Sequence, residues 1–130
     1  NPWWSYISGD VTEETWGGYP QGPVVEGGRI PELMRRYPNL CGDLSAGSGF
    51  NAISRDPEFG YAFLEEFQDR LLFGTDVCRP SNRNDMLVNL KNWLEEARAG
   101  GHISQEVFDK VTHRNAQRIL KLEDLGPSGC

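Results

Sequence analysis

Two aspartates carry the most chemistry in this sequence. Asp76 ends the run Arg70-Leu71-Leu72-Phe73-Gly74-Thr75-Asp76, where an apolar stretch gives way to a glycine and then to polar residues. A carboxylate placed after a buried stretch is costly unless a metal, a proton or a cation meets it, so Asp76 is a candidate metal ligand or general base. The structural reading of the same residue is an Asx-type turn onto the amides of Cys78 or Arg79. Asp43 follows a second apolar stretch, in Leu40-Cys41-Gly42-Asp43-Leu44-Ser45, where it would serve chemistry or simply hydrogen-bond the next loop. Ser45 and Thr75 add a hydroxyl beside each acid, Ser45 being the candidate for contact with substrate. Used as a pair, the acids would suit a glycosidase, a reading that needs a carboxylate separation no sequence supplies.

The other reactive residues are weaker candidates. Ala46-Gly47-Ser48-Gly49-Phe50 has the glycines to cradle a phosphate, but neither GxGxxG nor the P-loop pattern is present. His102 follows two glycines at a helix end and His113 lies mid-helix, with no HxH or HExxH spacing, so both are read as solvent-facing. Cys41, Cys78 and Cys130 are odd in number and far apart, without a CxxC pair, and suggest no disulfide framework or thiolate zinc site. They are expected to be small buried hydrophobes at 41 and 78 and a stray thiol at 130, in a cytoplasmic setting.

The elements that would position the acids follow from pattern. The mostly apolar run 40–45 predicts a buried strand, closed by a flexible loop at 46–49. Asp56-Pro57 is an N-cap and first-turn pair, and Phe59, Phe63 and Phe67 recur every four residues, which predicts a helix to about Asp69. A strand over 71–76, continuously apolar and so buried on both faces, completes a right-handed βαβ unit in a parallel arrangement. Functional residues of parallel folds gather at the carboxyl ends of the strands, which sets Asp76 at one strand tip beside the tip bearing Asp43.

Around this unit, Pro31, Ile30, Leu33, Met34 and Tyr37 predict a helix over 30–37 that Pro38 stops. Ser81, Asn82 or Asn84 would cap a helix with Leu87, Leu90, Leu94 and Ala97 on one face, ended by Gly100-Gly101. Ser104 would cap the last helix, whose stripe of Phe108, Val111, Ile119 and Leu122 includes Asn115. A buried amide needs partners, and those expected for Asn115 are backbone groups of the loop after Asp76. Residues 1–28, rich in glycine and in the aromatics Trp3, Trp4, Tyr6, Trp16 and Tyr19, read as a long ordered loop. It would either cover a substrate, with Trp3 and Trp4 in contact, or be pinned to the body by its aromatics. Residues 126–130 read as a frayed tail.

Composition bounds the rest. The 130 residues, 38% hydrophobic and 25% charged, suit one globular domain or part of one. Thirteen Lys and Arg against nineteen Asp and Glu leave a net charge of −6, which disfavours nucleic acid and anionic membranes as partners. No apolar run reaches the roughly 18 residues of a membrane span, and the start at Asn1 reads as cut from something longer.

Several segments together closely resemble the amidohydrolase superfamily, in its branch of metal-dependent hydrolases and decarboxylases. They are Tyr37-Pro38-Asn39-Leu40-Cys41-Gly42-Asp43-Leu44-Ser45-Ala46, Asp56-Pro57-Glu58-Phe59-Gly60, the Arg70 to Asp76 run and Asn115-Ala116-Gln117-Arg118-Ile119-Leu120. Trp3-Trp4-Ser5-Tyr6-Ile7-Ser8-Gly9-Asp10 looks like the segment after the sixth barrel strand in some members. The resemblance implies an α/β fold, the C-terminal portion of a (β/α)8 TIM barrel that typically needs about 250 residues. Residues 29–125 would hold the seventh and eighth βα units and a terminal helix, incomplete without the barrel's N-terminal part. It also implies that Asp76 binds a divalent metal, zinc foremost and manganese next, or activates the attacking water. The family's first-strand HxH pair and later barrel histidines have no counterpart here, so most ligands lie outside this chain. The implied function is hydrolysis of a small carbonyl-type substrate, or the related decarboxylation. The alternative is a non-catalytic barrel fragment that binds a partner chain through the unpaired backbone groups of its open edge.

Overall fold

The computed structural model describes the backbone of residues 2–122 and the side chains of residues 3–81 and 88–122. The expected tail at 126–130, Cys130, the caps Asn82 and Asn84, and the packing of Leu87 lie outside the described residues. In chain order the elements are α1 (Pro2–Ser5), α2 (Arg29–Arg36), β1 (Gly42–Asp43), α3 (Ala46–Ser54), α4 (Pro57–Glu66) and β2 (Leu71–Leu72). A 3₁₀ turn at Pro80–Asn82 leads into α5 (Arg83–Ala99), and the chain closes with α6 (Gln105–Asp109), a π-helical turn (Lys110–Arg114) and α7 (Asn115–Ile119). None of the described helices is long and apolar enough to cross a membrane.

The strands are parallel, with Gly42 opposite Leu71 and Asp43 opposite Leu72. The Gly42 amide donates to Arg70 O and the Leu44 amide to Leu72 O, both at 2.9 Å. This is the expected parallel pair, but far shorter than strands over 40–45 and 71–76. Only one face of the ladder is buried: Gly42 and Leu44 are covered while Cys41 and Asp43 are exposed. The same alternation explains why Cys41 is not the buried hydrophobe anticipated, and Cys78, in the loop after β2, is exposed as well. The outer edges of the ladder are not left unpaired. Trp4 Nε1 donates to Asp43 O at 2.9 Å, and on the far side Phe73 N donates to Val111 O and Asn115 Nδ2 to Leu71 O, each at 2.9 Å.

Two helices cross over between the strands where one was expected. The segment 46–49, anticipated as a flexible loop, forms the first half of α3 with Ser45 at its N-cap. Glycine and serine are poor helix formers, yet Ser48, Gly49, Ala52 and Ile53 bury one face, and that packing overrides propensity. Helix α4 begins as anticipated, with Asp56 Oδ1 accepting from Phe59 N at 3.3 Å and Pro57 in the first turn. Helix α2 ends before Pro38, its last carbonyls held by Arg70 Nη1, which donates to Met34 O at 2.6 Å and Tyr37 O at 3.1 Å.

One apolar core joins these elements, including Trp4, Ile7, Ile30, Leu44, Phe63, Leu71, Leu94 and Val111. Leu90, Leu94 and Ala97 supply the buried face of α5, as their spacing predicts. The final helix differs from the expected continuous stripe. Ser104 caps it by accepting from Val107 N, and Val111 and Asn115 are buried on either side of the π turn, but Ile119 at the end of α7 is 36% exposed, and Leu122, past the helix end and the left-handed Lys121, is 42% exposed.

The segment before α2 is pinned by one of its aromatics, Trp4, in the core, and otherwise by polar bonds. Arg55 Nε and Nη2 donate to Gly22 O and Pro23 O, Asp56 Oδ2 accepts from Val24 N, and Ser8 Oγ accepts from Val25 N. Tyr6, Trp16 and Tyr19 remain exposed.

Candidate functional site

The candidate site lies at the carboxyl ends of the two strands. Parallel pairing sets the end of β1 beside the end of β2, so residues 28 or more positions apart meet by register alone. Asp43 is exposed there, and its carboxylate is spent locally: Oδ1 accepts from Ser45 N at 2.9 Å and Oδ2 from Ser45 Oγ at 3.0 Å. This is the loop-bonding role open to it in the sequence. The hydroxyl of Ser45 is thereby turned onto Asp43.

Gly74 closes the other side of this pair. A Cβ built on Gly74 would stand 2.9 Å from Asp43 Oδ1 and 2.9 Å from Ser45 Cβ, so the two loops touch without room for a side chain. Beyond Gly74, Thr75 is half-buried and its Oγ1 accepts from Val77 N at 3.4 Å. Asp76 is exposed, four residues past the end of β2 and not at the strand tip as expected. Pairing ends at Leu72 because β1 turns off into α3 through the left-handed Ala46, while the Phe73 amide, which faces away from β1, donates to Val111 O.

The chain leaves each strand through a left-handed residue that is not glycine: Ala46 at φ 65° after β1 and Asp76 at φ 55° after β2. Aspartate tolerates this region better than alanine, and such conformations concentrate where a fold over-determines a local shape. The sequence offers no sign of the turn at Ala46. For Gly74, the glycine between an apolar stretch and Thr75-Asp76 was the available signal.

The two tryptophans take different roles. Trp4 is in the core, edge-on to Phe63 with ring centroids 6.4 Å apart, and reaches the site only through its indole bond to the Asp43 carbonyl. Trp3 is 42% exposed and lines, with Tyr6, Arg29, Ile30 and Leu33, an open hollow of about 380 Å³ that includes neither Asp43 nor Asp76. The structure thus brings together Asp43, Ser45 and the Gly74 segment leading to Asp76, with Trp4 behind Asp43 and Trp3 apart. Both histidines are exposed, His102 stacked on the Tyr61 ring at 4.5 Å.

The described residues do not make a metal site unaided. Among the described residues no three His, Cys, Asp or Glu side chains stand together closely enough to hold a metal ion. One exposed carboxylate cannot fix a divalent ion, which takes three or more protein ligands in catalytic zinc centres. Asn115 is buried as expected, but its amide serves the approach to β2, through Gln68 O and Leu71 O, instead of the loop after Asp76.

No curated protein and no solved structure matches the chain. Residues 17–122, which contain both strands, the crossover helices and the C-terminal helices, match the family model described as amidohydrolase, and the chain belongs to the amidohydrolase family.

Proposed function

We propose that this chain is the C-terminal part of a metal-dependent hydrolase, in which Asp76 acts at the reacting centre of a small carbonyl-type substrate. The observation that supports it best is the parallel pair itself, which sets the Asp43–Ser45 tip against Gly74, with Asp76 exposed two residues further on. In parallel α/β folds that end of the sheet is where chemistry is done. Asp76 would receive a proton from the attacking water, and Ser45 would turn its hydroxyl from Asp43 toward substrate. Decarboxylation at a similar centre is the related reaction.

A divalent metal, zinc or manganese, belongs to the same proposal, with Asp76 its contribution from residues 1–130 and the remaining ligands on other strands of a completed (β/α)8 barrel. The partner implied is that remaining barrel part. The test is Asp76→Asn in the complete enzyme. Turnover should fall by about 10²–10⁴, the usual worth of a positioned acid or base, with the circular dichroism spectrum unchanged. Near-normal turnover in that variant would remove Asp76 from the reaction. Metal analysis of residues 1–130 after dialysis should find no stoichiometric zinc or manganese.

A further inference from the structure

We propose that the C-terminal helical segment is a clasp that occupies the outer edge of β2, in the place where a further strand would pair. In the π turn the Asn115 amide bonds Lys110 O, five residues back, and so bypasses the carbonyl of Val111. That carbonyl, released from the helix, accepts from Phe73 N at 2.9 Å. The next side chain completes the attachment: Asn115 is buried and its Nδ2 donates to Gln68 O at 2.6 Å and Leu71 O at 2.9 Å. Leu71 in β2 and Phe73 just after it have backbone groups that face away from β1, the groups an added parallel strand would use. Lys110 holds the same approach from the other end of the turn, with Nζ 2.8 Å from Gln68 Oε1 and 3.0 Å from Asp69 Oδ1.

A strand edge left open invites pairing with another chain, and covering it with a helix is one way folds prevent this. The widened turn does so here with a backbone acceptor. Clasp opening, which closing the barrel proposed above on this edge would require, would uncover the edge while the inner ladder bond, Leu44 N to Leu72 O, stays formed.

The test is hydrogen exchange of single amides in residues 1–130, comparing Phe73 with Leu44. Asn115→Ala should accelerate exchange at Phe73 by about tenfold or more, the worth of one to two buried hydrogen bonds, with Leu44 unchanged. The variant should also show concentration-dependent self-association in sedimentation where the parent chain does not. Equal acceleration at both amides, or none at Phe73, would overturn the clasp. Should Asn115→Ala not fold, the parent chain in sub-denaturing urea decides: Phe73 should exchange through an opening with a shallower urea dependence than Leu44. Identical dependences would refute a separately opening clasp.

Discussion

The indole Nε1 of Trp4 donates to the carbonyl of Asp43 at 2.9 Å, across 39 positions of sequence. This bond ties the first helical turn of the chain to the carboxyl end of β1 and satisfies a carbonyl that faces away from β2. Trp4 is expected to meet substrate; the residue is instead 6% exposed, its ring packed edge-on against Phe63. Trp4→Phe would keep most of the packing and leave the Asp43 carbonyl without its donor. The expected cost is about 0.5–1.5 kcal/mol, the net worth of a hydrogen bond at a partly buried carbonyl. Urea denaturation should show it as a lower midpoint with an unchanged slope, and Trp4→Ala should cost more because a cavity is added. An unaltered midpoint for Trp4→Phe would mean that water replaces the indole at that carbonyl.

Asp56 divides its carboxylate between two duties. Oδ1 caps α4 at Phe59 N and Oδ2 holds the loop amide of Val24 at 2.9 Å. Asp56→Asn keeps one acceptor oxygen and Asp56→Ala keeps none. Asp56→Ala should therefore lose about 1–2 kcal/mol, the usual range for a helix cap, with amide exchange at Val24 accelerated. Asp56→Asn should retain the cap and loosen Val24. Unaltered exchange at Val24 in both variants would show that Arg55, through Gly22 O and Pro23 O, holds the loop without it.

These residues also show what could be read in advance. The parallel pair was legible because two apolar runs flank an amphipathic helix, and the Asp56, Ser104 and Pro31 signals act within one turn of the chain. Strand length was not legible, since pairing ends where β1 turns into α3 through the left-handed Ala46. Nor were the groups that meet the outer edges, an indole and a helix carbonyl from residues 4 and 111. Helix α3 was hidden by its glycines and serine, whose low propensity is overridden by close packing. The π turn was hidden because counting by 3.6 assumes a uniform helix, and the exposure of Ile119 and Leu122 was hidden because the helix ends at Ile119 and the chain turns at Lys121. The site acids were legible by type and position, but the use of Asp43's oxygens by Ser45 is a property of the turn.

The Arg35–Glu66 pair gives a pH prediction with a definite sign. Arg35 Nε and Nη2 donate to the two Glu66 oxygens at 2.5 and 2.7 Å, joining α2 to α4. The guanidinium bonds hold the Glu66 carboxyl below its ordinary value of 4.5, against a smaller upward push from burial. A carboxylate with a lowered folded-state pKa contributes stability that is complete above 4.5 and lost as pH falls through the folded value. The Tm difference between the parent chain and Glu66→Gln should thus be present at neutral pH and vanish in acid. Both side chains are well exposed, so added salt should shrink the difference at neutral pH too. A difference that persists undiminished in acid would assign the effect to packing.

Gly60 decides how closely the two crossover helices approach. It sits in α4, buried, and a Cβ there would overlap the Ile53 carbonyl oxygen of α3 and stand 3.2 Å from the Trp93 ring. Two effects oppose each other in Gly60→Ala. Alanine is the better helix residue by about 0.5–1 kcal/mol. The new methyl, however, meets backbone, which cannot rotate away as a side-chain tip would, so α3 and α4 must part. Overpacking of this kind costs typically 1–3 kcal/mol, and the clash should win, leaving Gly60→Ala less stable by about 1–2 kcal/mol. Gly17 is the control: a Cβ there meets nothing within 4 Å. Gly17→Ala should fall within about 0.5 kcal/mol of the parent chain. The separation of α3 from α4 would also loosen Ile53 and Phe63, which pack into the core from those helices, so Gly60→Ala should speed amide exchange along α4. A Gly60→Ala protein as stable as the parent would mean that the helices can part without loss, and that the contact at Ile53 is not what fixes the crossover.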